Sequence, residues 1–120
     1  PGWIRYMEYN FSDQLDHLSS CKSPQQMFGA LVKNYLPGKI NVDAKKIFHI
    51  SIMPCTAKKF EANRKEMGGD YGKDVDVVLT TREAAKLFKM RGINLATIEE
   101  EDFDSLMGLG TGAARIFGTT

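Results

Sequence analysis

The apolar positions at the start of the chain have the spacing of helices. Between Trp3 and Leu18 they recur every three or four residues, which suits one face of a helix. The next segment combines a serine that can cap a helix, a proline suited to the first helical position and a glutamine at the capping-box position, Ser23-Pro24-Gln25-Gln26. We expect a second helix from Pro24 to Tyr35, ended by Pro37-Gly38.

Further along, the hydrophobic pattern changes to that of strands. Ile47 to Met53 is β-branched and nearly continuously apolar, which is typical of a strand covered on both faces. Residues 56–67 are rich in Lys, Glu and Ala and favour a helix start or a turn, which Gly68-Gly69 then breaks. A second strand is predicted at Val75 to Thr80.

The second strand leads into another helix. Thr80 and Glu83 have the spacing of a capping box, which predicts a helix from Thr81 to Arg91, closed by Gly92. Strands alternating with helices indicate an α/β fold with a parallel sheet built from βαβ units. Ligands of such sheets gather at the carboxyl ends of strands, and Cys55 follows the end of the first strand.

Composition is that of one ordinary globular domain. Of the 120 residues, 42% are hydrophobic and 26% are charged, and the net charge is +1, which gives no field to attract nucleic acid or acidic lipid. No apolar run approaches the ~20 residues of a membrane span. The first residues, Pro1 to Arg5, do not have the basic-then-apolar pattern of a signal peptide, so we expect a cytoplasmic or organellar protein, and we expect the sequence to be cut at both ends.

The chain has only two cysteines, Cys21 and Cys55, too few for a disulfide scaffold or a complete four-cysteine metal site. Cys55 follows Pro54 at a predicted strand end, and Lys58 lies three residues on. A restrained backbone, a nearby ammonium and burial would suit a metal-bound thiolate there. The alternative is an inert buried thiol, with Lys58 and Glu61 on a solvated helix face.

The order Met53-Pro54-Cys55-x-x-Lys58-x-x-Glu61 resembles the second of the three cysteine signatures of the [FeFe]-hydrogenase active-site domain. The similarity continues in other segments: Pro1-Gly2-Trp3, Leu18 to Ser20, Lys22 to Gln26, Asp76 to Glu83 and Gly112 to Gly118. It covers essentially the whole chain. It implies that residues 1–120 are a partial iron-hydrogenase large-subunit domain, truncated at both ends.

The resemblance also implies a cofactor, the H-cluster, in which a [4Fe–4S] cubane is joined to a diiron unit with CO, cyanide and a dithiolate. Cys55 would be one of four cubane ligands, and Lys58 would donate to a cyanide. Ser19 would belong to the proton relay. The remaining expected contacts with the cofactor are the soft thioether of Met53, the pocket residues Pro24 and Gln25, and an apolar wall at Phe117. Expected partners are the rest of the domain, an electron carrier such as ferredoxin, and maturation proteins.

Two other interpretations of the sequence stay open. Non-enzymatic cytosolic iron–sulfur assembly factors share a similar cysteine segment, and a plain α/β interaction module would need no cluster. Cys21 is expected to be a small packing residue, and neither His17 nor His49 has the spacing of a metal ligand. The glycines at 108–112 lack the Lys-Ser/Thr ending of a phosphate loop. For Glu61 two roles stay open, orienting Lys58 or binding an arginine.

Overall fold

The computed structural model describes residues 2–106 and residue 108. Two 3₁₀ segments, Ser12–His17 and Ala44–Lys46, connect its regular elements. The helices are α1 (Gly2–Asn10), α2 (Pro24–Ile40), α3 (Ala57–Ala62) and α4 (Thr81–Met90), and the strands are β1 (Ile50–Ile52), β2 (Gly68–Gly69), β3 (Gly72–Lys73) and β4 (Val77–Leu79). Within the described residues, no helix is long and apolar enough to cross a membrane.

The sheet confirms the predicted α/β class. Strands β1 and β4 pair in parallel, with Ile50 opposite Val77 and Ile52 opposite Leu79. Helix α3 lies in the connection between them, so β1, α3 and β4 form a βαβ unit. The small antiparallel pair β2–β3 lies outside the predicted strands, because its glycines carry no strand pattern and also suit the end of a helix.

The first predicted helix is too long. Helix α1 ends at Asn10, because Phe11 leaves the helical region with φ −142° and ψ 49°. Asn10 then bonds backward through its side chain to the carbonyl of Tyr6, at 2.9 Å. Asparagine side chains compete for backbone groups in this way, and Asn10 interrupts an otherwise helical apolar pattern.

The second predicted helix begins as expected and ends later. The Ser23 side chain accepts a hydrogen bond from the Gln26 N–H, and Pro24 occupies the first turn. The helix continues through Pro37 to Ile40, so the predicted end at Pro37-Gly38 is wrong. Proline already has a helical φ, and it removes only the one hydrogen bond that its own N–H would have made to the carbonyl four residues earlier. Asn41, in the left-handed region at φ 54°, ends the helix.

Strand β1 is shorter than the predicted Ile47–Met53 segment, and the prediction that both of its faces are covered is wrong. The side chains of Ile50 and Ile52 are 48% and 51% exposed, whereas Ser51 between them faces inward. Strand β4 likewise falls within its predicted range. The capping box of Thr80 and Glu83 at the start of α4 is confirmed, and Gly92 follows that helix at φ 72°.

The buried core of the described residues is small. Ala62 of α3 packs with Val75 and Val78, and Met53 packs against this cluster from the end of β1. Polar contacts hold helix α2 and the residues before it to the same region: the buried Lys33 ammonium of α2 pairs with Asp76 at 2.8 Å, and Lys22, two residues before α2, pairs with the buried Asp74 at 2.5 Å. These contacts fix α2 next to β1 and the β4 entry.

Candidate functional site

Cys55 lies three residues beyond the end of β1, in the turn that enters α3. The Lys58 N–H donates to the Cys55 carbonyl at 3.3 Å, so both residues belong to one turn of chain. The Cys55 thiol is exposed. The expected burial of this thiol is therefore wrong for this chain, and so is the alternative of an inert buried cysteine.

Lys58 is held on the side of α3 by Glu61. The Lys58 ammonium donates to a carboxylate oxygen of Glu61 at 3.2 Å, and the side chains are only 12% and 7% exposed. The i, i+3 spacing on a helix brings them together. Of the two roles left open for Glu61, the structure has the first, since it orients Lys58. Arg64 pairs instead with Glu8 and Glu66.

Gln25 connects α2 to this turn. Its amide Nε2 donates to the Lys58 carbonyl at 3.5 Å, and its Oε1 accepts a hydrogen bond from the Ser51 hydroxyl at 2.9 Å. Ser51 is a polar residue on the inward face of β1. The sequence reasoning missed Ser51, although a serine within an apolar strand is a signal of a buried polar contact.

Met53 and Pro24 are neighbours in sequence of this group, Met53 beyond the end of β1 and Pro24 at the start of α2. Met53 is half-buried against the hydrophobic cluster, and its N–H donates to the Leu79 carbonyl at 2.9 Å. Pro24 is exposed at the start of α2. Phe117 lies outside the described residues. The structure thus brings Gln25, Lys58 and the Cys55 backbone into direct contact, while the contacts expected for Met53, Pro24 and Phe117 stay predictions.

Ser19 borders a cavity of about 500 Å³ between the start of α1, the segment before α2 and the end of α3. Glu61, Arg64 and Cys21 line the same cavity. The Ser19 hydroxyl oxygen accepts the Cys21 N–H at 3.2 Å. Cys21 is exposed, so its expected role as a packing residue is wrong for this chain.

Arg64, which lines the cavity, forms ion pairs with Glu8 and Glu66. The hydrogen bond from Arg64 lowers the pKa of Glu8 below its ordinary value of 4.5. Glu66 is shifted in the same direction, first by its own backbone N–H and then by Arg64. Arg64 thereby fixes α1 to the segment after α3, and this contact shapes one wall of the Ser19 cavity.

The remaining candidates are structural. His49 contacts the Phe28 ring edge at a centroid distance of 5.8 Å, and its Nδ1 lies 3.1 Å from the Asp74 carbonyl oxygen. In the part of the chain that the structure describes, no three His, Cys, Asp or Glu side chains gather as a metal site would require. A cysteine thiolate is the usual ligand of an iron–sulfur cluster. Cys55 therefore fits such a group as a single ligand, with an exposed sulfur and a lysine on the same turn.

Fold and site together define an α/β domain with an exposed cysteine that shares a turn with an ion-paired lysine. The family model for the iron only hydrogenase large subunit, C-terminal domain, matches residues 1–120, and the chain belongs to this family.

The similarity to known proteins extends over the full chain. It is 48% identical over 120 residues to the NADP-reducing hydrogenase subunit HndD of Solidesulfovibrio fructosivorans, covering 100% of this chain and 20% of that protein. It is 47% identical over the same length to iron hydrogenase 1 of Clostridium pasteurianum, covering 21% of that protein. The chain thus spans about a fifth of the length of these relatives.

A solved structure of the [FeFe]-hydrogenase HydA1 from Chlamydomonas reinhardtii matches with a TM-score of 0.84 and 44% identity, over 95% of this chain and 28% of that one. A second kind of relative is also similar. The cytosolic Fe-S cluster assembly factor NAR1 homolog of Schizosaccharomyces japonicus is 39% identical over 106 residues, covering 88% of this chain and 20% of that protein.

Proposed function

We propose that the whole protein containing this chain is an [FeFe]-hydrogenase, which interconverts H2 with protons and electrons. In this proposal, residues 1–120 are a part of its H-cluster domain. The proposal includes a cytoplasmic location, an electron carrier such as ferredoxin, and maturation proteins that supply the diiron unit.

One observation carries the proposal: an exposed cysteine at a strand end shares a turn with a lysine whose ammonium is fixed and nearly buried. A structural lysine of a helix surface would be solvated instead. An ammonium has three N–H donors. Among the described residues the Lys58 ammonium bonds only to Glu61, so two donors remain for another acceptor.

The chain's residues would divide the work as follows. Cys55 would ligate the cubane through its sulfur. Lys58 would donate to an anionic cyanide, for which charge-assisted hydrogen bonds are the strongest kind. The Ser19 hydroxyl, which accepts from Cys21, keeps its own O–H to pass a proton on. When bound, the H-cluster would supply the iron centres at which electrons and protons are exchanged with H2.

The other residues proposed to contact the cofactor are supported by different observations. Gln25 reaches the Lys58 turn through a direct hydrogen bond, which supports its assignment to the pocket. Met53 stands two residues before Cys55 with its side chain half-buried, where a soft thioether would suit carbonyl ligands. Pro24 and Phe117 are proposed as pocket residues from the resemblance.

The second candidate function is a non-enzymatic iron–sulfur assembly factor. The similarity to a cytosolic Fe-S cluster assembly factor, at 39% identity over 88% of the chain, supports this second candidate. Higher identity to hydrogenases, 48% over the whole chain, supports the first candidate. The two differ chemically, because an assembly factor would carry a cluster without CO and cyanide ligands.

The test uses the full-length protein after maturation with its diiron unit. The Cys55→Ser variant should lose cubane iron and the infrared bands of CO and cyanide, because a serine hydroxyl is a poor substitute for a thiolate ligand. The matched control is Cys21→Ser, which removes the chain's other exposed thiol and should retain both signals.

Retention of a complete H-cluster spectrum by Cys55→Ser would contradict the ligand assignment. A wild-type protein that binds cluster iron, shows no CO or cyanide bands and produces no H2 would favour the assembly factor.

A further inference from the structure

Helix α4 carries a row of basic side chains on one exposed side. Arg82, Lys86 and Lys89 have the i, i+4, i+7 spacing that places residues on the same side of a helix, and all three are exposed. The acidic residue of this helix, Glu83, is already paired with Lys59. Among the described residues, no ion pair involves this basic row, so its charge is available to a partner.

An open groove of about 420 Å³ lies beside the basic row. Its lining combines α4 with the turn that follows the helix and includes Ala85, Phe88, Lys89, Ile93 and Leu95. Leu95 is 63% exposed and Ile93 is 41% exposed, so the groove presents apolar surface to solvent. Lys89 belongs to both the groove and the basic row. The complementary partner therefore combines acidic groups with an apolar or aromatic side chain.

The chain itself contains a stretch of this chemistry, the acidic segment Glu99-Glu100-Glu101-Asp102-Phe103-Asp104. It has five carboxylates and one aromatic residue, and Phe103 is 96% exposed. Blocks of like charge of this length repel internally and are frequent in segments that bind a partner. In the part of the chain that the structure describes, none of the five carboxylates forms an ion pair.

Within one copy, the acidic segment leads toward α2 instead of α4. Two residues beyond the segment, the Leu106 carbonyl oxygen accepts a hydrogen bond from the Lys39 ammonium of α2, at 2.5 Å. The basic row and the acidic segment thus stay unpaired with each other although they lie on the same chain. Two copies that exchange these elements about a two-fold axis satisfy both of them, because each copy gives one element and receives the other.

We propose that this protein self-associates through these two elements. The acidic segment of one copy lies along the basic row of a second copy, with Phe103 in the groove, and the same contact is repeated in the other direction. This contact is independent of the proposed function, because neither element includes a residue assigned to the H-cluster.

The experiment measures the association of the full-length protein by sedimentation velocity over a range of concentrations. Wild-type dimers should weaken as the salt concentration rises from about 0.1 to 1 M, because the Debye length falls from about 10 to 3 Å. Phe103→Ala should weaken association by about 10- to 100-fold, the loss expected when a phenyl group no longer fills an apolar groove.

Two charge-reversal variants identify the paired elements. The first reverses the basic row, with Arg82→Glu, Lys86→Glu and Lys89→Glu. The second reverses half of the acidic segment, with Glu99→Lys, Glu100→Lys and Glu101→Lys. Each variant alone should be monomeric, because like charges then face each other in both contacts. An equal mixture of the two should form heterodimers, since both reciprocal contacts again join opposite charges.

A matched control and a peptide complete the test. Lys45→Glu with Lys46→Glu reverses two exposed lysines of the second 3₁₀ segment and should leave association unchanged. A synthetic peptide of residues 97–106 should dissociate wild-type dimers, and the same peptide with Phe103→Ala should compete about 10- to 100-fold less well. The peptide measurement uses wild-type protein, so it decides where a reversed variant does not fold.

Wild-type protein that stays monomeric at every concentration would overturn the proposal. Binding of the peptide by such a monomer would assign the groove to an acidic segment of another protein, and the contact between copies would still be overturned. Dimers that resist salt, charge reversal and the peptide would show that the copies pair elsewhere. A mixture of the two reversed variants that stays monomeric would overturn the pairing of the basic row with the acidic segment.

Discussion

Gly29 is where helix α2 comes closest to the segment that enters β4. A Cβ atom added there would lie 2.7 Å from the Asp74 carbonyl oxygen and 2.8 Å from a methyl group of Val75, both in fully buried residues. Gly38, in the same helix, has no atom within 4 Å of the corresponding position. Replacing each glycine by alanine therefore tests close packing against an internal control.

The magnitudes can be worked from these contacts. Alanine stabilises a helix interior by about 1 kcal/mol relative to glycine, and this gain applies to both positions. Overpacking typically costs about 1–3 kcal/mol, and the contact at Gly29 includes backbone, which cannot rotate away. We therefore expect Gly38→Ala to be neutral or stabilising by up to about 1 kcal/mol. Gly29→Ala should be less stable than Gly38→Ala by about 1–3 kcal/mol.

Amide hydrogen exchange of the full-length protein, followed by mass spectrometry on peptides from α2 and residues 70–79, measures the opening free energy of this region. Gly29→Ala should speed exchange in both peptides, while Gly38→Ala should slow it or leave it unchanged. Because Gln25 lies one turn before Gly29, the first variant should also loosen the Lys58 turn. Equal protection in the two variants would refute the close-packing argument.

Two other predictions concern ion pairs. Asp76→Ala should destabilise the domain by about 3 kcal/mol, the lower end for a broken buried pair, because the Lys33 amine stays buried at 2% exposure. In urea unfolding, Lys33→Met should lower the free energy of unfolding by less than Asp76→Ala does. A larger decrease for Lys33→Met would contradict this reasoning. Glu83 accepts from Lys59 and from the Thr80 N–H, which lowers its pKa from 4.5 to about 2. A depressed folded pKa means that the stabilisation is complete above pH 4.5 and is lost as the pH falls toward 2. An NMR titration in which Glu83 titrates near 4.5 would refute the ion pair.

The fold was predictable where the signal is local. The capping box of Thr80 and Glu83 and the parallel pairing of two apolar strands depend on adjacent residues and on connection rules, and both are confirmed. Helix ends were less predictable. Pro37 is compatible with a last helical turn as well as with a stop, and only the tertiary contacts of α2 decide between them.

The same division applies to the site. The turn shared by Cys55 and Lys58 follows from their spacing, and so does the contact of Lys58 with Glu61. The contact of Ser51 with Gln25 spans 26 residues and joins a strand to a helix. No local pattern encodes such a pair, because it depends on how α2 packs across the sheet.

The proposed function explains in one way why both the Cys55 thiol and one face of β1 are exposed. Ile50 and Ile52 belong to a nearly continuous apolar segment, yet one face of it is open, and Cys55 just beyond it is open too. The chain spans about a fifth of its hydrogenase relatives. Residues outside this chain would then cover that face and bring the other cubane ligands to Cys55. Under that proposal a coordinating thiol would have to stay accessible from the side where its partners approach, whereas Lys58 is already held within this chain by its contacts with Glu61 and Gln25.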